Sequence, residues 1–149
     1  MERRARSLTL KEEMKEVRDK LEFKLWVMKD VTGEIWGDLK RAKNKPDLDE
    51  LLGDFAPSCF LDDQLERAYY DDPGVLYEPY SRLMKEWEYA KSARLTDEAR
   101  LKKFRRIISE AEIVENDLGR LGYLFESFDG VITLKTFPKK HRKRCKFDR

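Results

Sequence analysis

The residues whose types and spacing best suit a chemical task lie near the C-terminus. Lys139, Lys140, Arg142, Lys143, Arg144 and Lys146 place six cations within eight positions. A block of like charge repels itself, extends, and is drawn to polyanions. One use is phosphate contact, where each neutralised phosphate of duplex DNA steepens the fall of log affinity with log salt by about 0.9. Another is nuclear import, since Lys-Lys-x-Arg fits the basic pattern of such signals. A third is an anionic membrane, where each cation contributes roughly 1 kcal/mol and an acylated Cys145 would add hydrocarbon. A membrane surface is the least expected of the three. Phe137 and Phe147 bracket the block and offer rings for stacking on bases. No zinc-ligand spacing, glycine-rich loop or aromatic-rich sheet motif of a nucleic-acid-binding fold accompanies them.

Bond-making chemistry has little to work with. The one histidine, His141, sits among cations that disfavour its protonation, and no carboxylate lies near in sequence to orient it as a base. A nucleophile elbow and a glycine-rich phosphate cradle are both absent from the sequence. Asp47, Asp49 and Glu50, the pair Asp62 and Asp63, and the pair Asp71 and Asp72 are of a type that binds hard cations. They lack EF-hand spacing, however, and acids at helix starts and turns need no metal to explain them. The expectation is therefore a non-catalytic protein with no metal, no cofactor and no small-molecule substrate. Cys59 and Cys145 form no disulfide framework, and a reducing compartment, nuclear or cytoplasmic, is expected.

Eight of the 32 Lys and Arg but only one of the 30 Asp and Glu fall in residues 135–149, so the net charge of +2 conceals a body of about −5 and a tail of about +7. Charged residues make up 42% of the 149-residue chain, far above the ~25% usual for globular domains. Three Trp, six Tyr and six of the eight Phe are spread through the body, which points to a folded chain with much solvated helix surface. No run of eighteen apolar residues is present, so no membrane span is predicted. The reading is a flexible basic N-terminus over 1–7, a single helical domain over 8–135, and a basic tail over 136–149.

The elements that must position any site read as helices. Thr9 with Glu12 is a capping box. Leu10, Met14, Val17 and Leu21 then recur at helical spacing, Leu25 and Met28 extend the stripe, and Phe23, Trp26 and Val27 widen its apolar sector. A sector this wide predicts packing against two neighbours, or pairing of the stripe with a second copy. Gly33 predicts a kink or brief break near Thr32-Gly33, after which Ile35, Trp36 and Leu39 resume the pattern. Pro46 suits the first position of a short helix, Asp47 to Leu52, closed by Gly53. Ser58 is a candidate cap for a helix carrying Leu61, Leu65 and Tyr69 on one face. Asp71-Asp72-Pro73-Gly74 is a turn, and Pro79 opens a helix with Tyr80, Met84 or Leu83, Trp87 and Ala90 on one side. Thr96 starts another, with Asp97 and Glu98 in its first turn and Leu101, Phe104, Ile108, Ala111 and Leu118 as its stripe. Gly119 and Gly122 loosen that helix, and a small β-hairpin around Asp129-Gly130 is predicted near 123–135.

The fold expectation is thus all-α: an elongated bundle of four to six helices, the long N-terminal helix antiparallel to the one starting at Thr96. For function, the expectation is an adaptor or subunit of a larger complex whose aromatic-rich helical faces hold a protein partner or a second copy. Trp26, Trp36, Tyr69, Tyr77, Tyr80 and Trp87 are the interface candidates, because Tyr and Trp offer large rigid area with a polar handle. The competing use of Tyr69, Tyr77, Tyr80 and Trp87 is a core corner where two helices meet at Pro73-Gly74. The alternative function is an RNA- or DNA-binding protein whose basic tail is the main contact.

Overall fold

The computed structural model describes residues 9–42 and 46–126. Within them, five α-helices follow one another: α1 (Leu10–Arg41), α2 (Leu48–Leu52), α3 (Asp62–Tyr70), α4 (Glu78–Ser92) and α5 (Asp97–Glu126), with a 3-10 helix over Pro73–Tyr77 between α3 and α4. The protein is therefore all-α and elongated, led by a helix of 32 residues, about 48 Å long at 1.5 Å per residue.

Local chemistry sets the ends. The Glu12 amide donates to Thr9 Oγ1 (3.1 Å) and the Thr9 amide donates to Glu12 Oε1 (2.9 Å), the reciprocal box that starts α1. Asp47 accepts from the Asp49 amide (2.9 Å) ahead of α2. Asp72 accepts from the Gly74 amide (3.0 Å) to open the 3-10 helix, and Thr96 Oγ1 accepts from the Ala99 amide (3.1 Å) at the start of α5. Asp47 and Asp72, weighed above as cation ligands, thus act as caps. Gly53 ends α2 at φ 57°, a left-handed conformation that glycine adopts without steric cost. Ser58 does not cap by its side chain. Its carbonyl accepts from the Leu61 and Asp62 amides, making a turn that delivers the chain into α3.

One apolar core runs through all five helices. Leu21, Leu25, Met28, Ile35 and Leu39 of α1 meet Phe104, Ile107, Ala111, Val114, Leu118 and Leu121 of α5, with Leu83, Trp87 and Ala90 of α4 and Leu61, Leu65 and Tyr69 around α3 closing the sides. Leu83, not Met84, is the fully buried choice on α4.

The predicted antiparallel arrangement of α1 and α5 is overturned: the two helices run parallel. Glu13 pairs with Arg105, Lys24 pairs with Glu112 (3.2 Å), and Ile35 Cδ1 lies 3.2 Å from where a Cβ on Gly122 would be. Numbers on the two helices therefore rise together. The return stroke belongs to α4, which is antiparallel to both: Arg82 pairs with Glu110 and Glu86 with Arg106 on α5, while Tyr80 sits by Lys29 and Tyr77 by Gly33 on α1. A four-residue connection between helices enforces an antiparallel neighbour, and two reversals restore the original direction.

The predicted break at Thr32-Gly33 is also absent, since α1 is continuous to Arg41. Buried Thr32 donates its hydroxyl to the Met28 carbonyl (2.7 Å), which satisfies it within the helix. Gly33 is explained by clearance, because a Cβ there would lie 3.1 Å from the Tyr77 hydroxyl. At the other end, α5 passes unbroken through Gly119 and Gly122 to Glu126. Tyr123 to Glu126 are thus helical where a hairpin strand was expected, and the remainder of that hairpin lies outside the described residues.

The two α5 glycines separate propensity from packing. A Cβ at Gly119 meets nothing within 4 Å, whereas one at Gly122 meets Ile35. Gly119→Ala is expected to raise unfolding free energy by about 1 kcal/mol, the helix-propensity difference. Gly122→Ala is expected to gain less, because Ile35 must yield. Urea denaturation of both variants checks the ordering.

Candidate functional site

The cations Lys139, Lys140, Arg142, Lys143, Arg144 and Lys146 lie outside the described residues, as do His141 and Cys145. Cys59 lies exposed in the loop ahead of α3.

Two of the interface candidates are withdrawn from the surface. Tyr69 is 1% exposed, and its hydroxyl donates to the Pro46 carbonyl (2.7 Å). Tyr70 stands edge-on to it at 5.3 Å and accepts from the Leu48 amide (2.9 Å), so the pair pins α2 to α3. Burial pushes both phenols up. Trp87 is buried between α4 and α5 with Lys91 Nζ 3.9 Å from its ring centre. Tyr77 and Tyr80 are half-buried against α1, and half-buried Trp36 lies under Lys40 at 4.6 Å. The core-corner use accounts for Tyr69 and Trp87 in full, and for Tyr77 and Tyr80 in part.

Trp26 is different, and it brings Phe23 with it. The two rings are 60% and 63% exposed and stack on each other at 6.2 Å with 26° between their planes. They were expected to widen the core sector of α1. At 100° per residue, however, they project from the side opposite Leu21, Leu25 and Met28. On that same outer ridge, at spacings of 3 and 4, lie Glu12, Glu16, Asp19, Asp30 and Glu34, all exposed. Asp19 is held by Lys15 (3.0 Å) and Glu12 by its capping box. Glu16, Asp30 and Glu34 make no ion pair with another described residue. The ridge is therefore a stacked aromatic pair with carboxylates on both sides, on an unbroken helix that is fixed from behind by the core. Its signal in the sequence is this second stripe, half a turn away from the apolar one.

A buried carboxylate, which sequence reading did not single out, ties the upper part of the bundle together. Asp117 of α5 accepts a hydrogen bond from the Ser58 amide across 59 residues, and is 7% exposed. Burial raises its carboxyl above the ordinary 3.8, opposed by the hydrogen bond from the Ser58 amide and by Arg120. A raised folded-state value means that ionisation of Asp117 costs the fold: its contribution is greatest below 3.8 and is lost as pH rises through the raised value. Asp117→Asn keeps an acceptor for Ser58 and removes the charge. It is expected to match or exceed the parent at pH 7, with the advantage vanishing toward pH 4. Asp117→Ala leaves the Ser58 amide unpaired and is expected to lose about 1–3 kcal/mol. Denaturant titrations at both pH values check the pair.

Among the described residues no group of three or more His, Cys, Asp or Glu converges as a metal site. An open groove of about 600 Å³ lies between Val31, Phe55 and the Gly119–Leu124 stretch of α5; its charged residues are Glu115 and Arg120. No described helix is long and apolar enough to cross a membrane. Compared with protein-family models, with curated proteins and with solved structures, the chain matches none.

Proposed function

We propose that this chain is a non-catalytic helical interaction protein, an adaptor or subunit of a larger complex, which presents the outer ridge of α1 to a protein partner. The observation that carries this reading is the exposed, stacked Phe23–Trp26 pair. Two large rings in water on a rigid helix are an unusual expense of apolar surface, and aromatic residues of this kind dominate interface energetics. Little ordering cost remains on this side of the contact, because α1 is already held by α4 and α5. The basic arm over 135–149 serves nuclear import or contact with a polyanion, in the nucleus or cytoplasm.

The eight cations of the arm support a second reading, in which RNA or DNA is the main partner and the arm its contact. Affinity isolation of the intact chain and of Phe23→Ala/Trp26→Ala, together with a salt titration of RNA binding by the intact chain and by a form ending at Leu134, separates the two. The interaction reading expects a stoichiometric protein companion that the double variant loses while its circular dichroism is unchanged. A companion set indifferent to both aromatic residues, with RNA affinity and salt slope carried by the arm, would favour the nucleic-acid reading instead.

A further inference from the structure

Several rings among the described residues carry a cation of the chain itself, whereas Phe23, Trp26 and the still more exposed Tyr123 have none from another described residue. Trp36, Phe55, Phe60, Tyr80, Trp87 and Tyr89 each lie beneath a Lys or Arg of the chain itself, at 3.9–6.0 Å from ring centre. A cation over an aromatic face is attracted by the ring quadrupole, and the contact also shields the ring from water. Phe23 and Trp26, among the most exposed of the large apolar side chains, stack on each other. Along their ridge stand Glu16, Asp30 and Glu34, which have no ion-pair partner among the described residues. Rings and carboxylates both attract cations, and here a central pair of rings is flanked on both sides by carboxylates along one line.

We infer that the outer ridge of α1 is a docking site for an Arg- or Lys-rich amphipathic helix of a partner protein. The partner's cations would lie over the Phe23 and Trp26 rings and pair with Glu16, Asp30 and Glu34. The occupant is a helix because the ridge lies on one unbroken helix and its features recur at 3 and 4 residues from position 12 to position 34, a repeat that a second helix matches along its length. A second copy of α1 is a poorer match, because two such ridges would bring their carboxylates together. This inference rests on the interaction reading above and adds the chemistry of the partner.

The test uses the full chain and three synthetic helical peptides: one with Arg repeated at 3 and 4 residues around a central Leu, the same peptide with citrulline for Arg, and the same with Glu for Arg. Binding of every variant is read by isothermal titration calorimetry at low and moderate salt, and in the parent chain also from the Trp26 indole NMR signal. The Arg peptide is expected to shift the Trp26 signal and to weaken with salt, whereas the citrulline and Glu peptides bind at least about tenfold less tightly. Phe23→Ala/Trp26→Ala and Glu16→Gln/Asp30→Asn/Glu34→Gln are each expected to lose about tenfold, whereas Tyr89→Ala, at an exposed ring that already has Lys103, loses nothing. All substituted side chains are exposed, and unchanged thermal melts certify the fold.

Equal binding of the citrulline peptide, or binding indifferent to Phe23 and Trp26, overturns the inference. So does binding that appears only when the chain is ended at Leu134, because the arm would then be the occupant. If the natural companion is lost from Phe23→Ala/Trp26→Ala but the Arg peptide does not compete with it, the interaction reading stands and the cationic partner falls. If the companion ignores both residues, the interaction reading itself falls.

Discussion

Phe104→Ala is expected to lower the unfolding free energy by about 3–5 kcal/mol, the range for deleting a buried aromatic ring. The ring is 1% exposed. It belongs to the apolar core that α1, α4 and α5 share, and the flanking Arg105 and Arg106 pair with Glu13 of α1 and Glu86 of α4. Phe104 therefore enters the seam where the three long helices meet. Collapse into the vacated space is resisted because α1 and α5 are braced further along by Lys24 with Glu112 and by the close approach of Ile35 to Gly122. Domains of this size have about 5–15 kcal/mol in total, so the variant sits near the limit of folding at 37 °C. Urea denaturation with an unchanged m-value measures the loss, and a cost below 1 kcal/mol would contradict the three-helix seam. Tyr123→Ala, at a residue 73% exposed, is the matched control and is expected to cost less than about 0.5 kcal/mol.

Arg100→Ala is expected to cost about 2–3 kcal/mol, the scale of charge-assisted hydrogen bonds left with unpaired acceptors. Arg100 stands in the first turn of α5, and its guanidinium donates to the Ala90 carbonyl, to the Lys91 carbonyl (3.1 Å) and to the Leu95 carbonyl (3.3 Å). It thus satisfies the last carbonyls of α4, opposes the negative end of that helix, and closes the turn that reverses the chain. Lys offers a point charge in place of a planar fork, so Arg100→Lys is expected to recover less than half of the loss. Hydrogen exchange should show the damage first in the last turn of α4. Uniform destabilisation of all five helices, with no local opening, would mean that Arg100 acts only through global packing.

These two residues were unequally visible beforehand. Phe104 belongs to a stripe that can be counted off at 3 and 4 residues, and the stripe is buried as the count predicts. Arg100 looks like any solvated cation near a helix start, because its acceptors belong to another helix. Trp26 was named as an interface candidate from its type. Phe23 and Trp26 together were assigned to a widened core sector, although their angular position half a turn from Leu21 and Met28 already argued against it. Tyr69 was named for the same reason as Trp26, and it went inside because its hydroxyl finds the Pro46 carbonyl 23 residues away.

The sequence by itself determined the helices and most of their ends: Thr9 with Glu12, Gly53 after α2, Thr96 before α5, and the apolar faces between them, whereas Asp47, read as part of α2, is its cap. Each of these depends on residues within about four positions of one another, where backbone geometry dictates who meets whom. Only the tertiary structure decided that α5 runs parallel to α1, that the helices pass through Gly33, Gly119 and Gly122 without a break, and that Asp117 and Arg100 reach elements far off in the chain. Those outcomes turn on contacts between segments ten to ninety residues apart. Such contacts form only when burial of the shared core outweighs the entropy of closing the intervening chain, and that balance belongs to the packed whole.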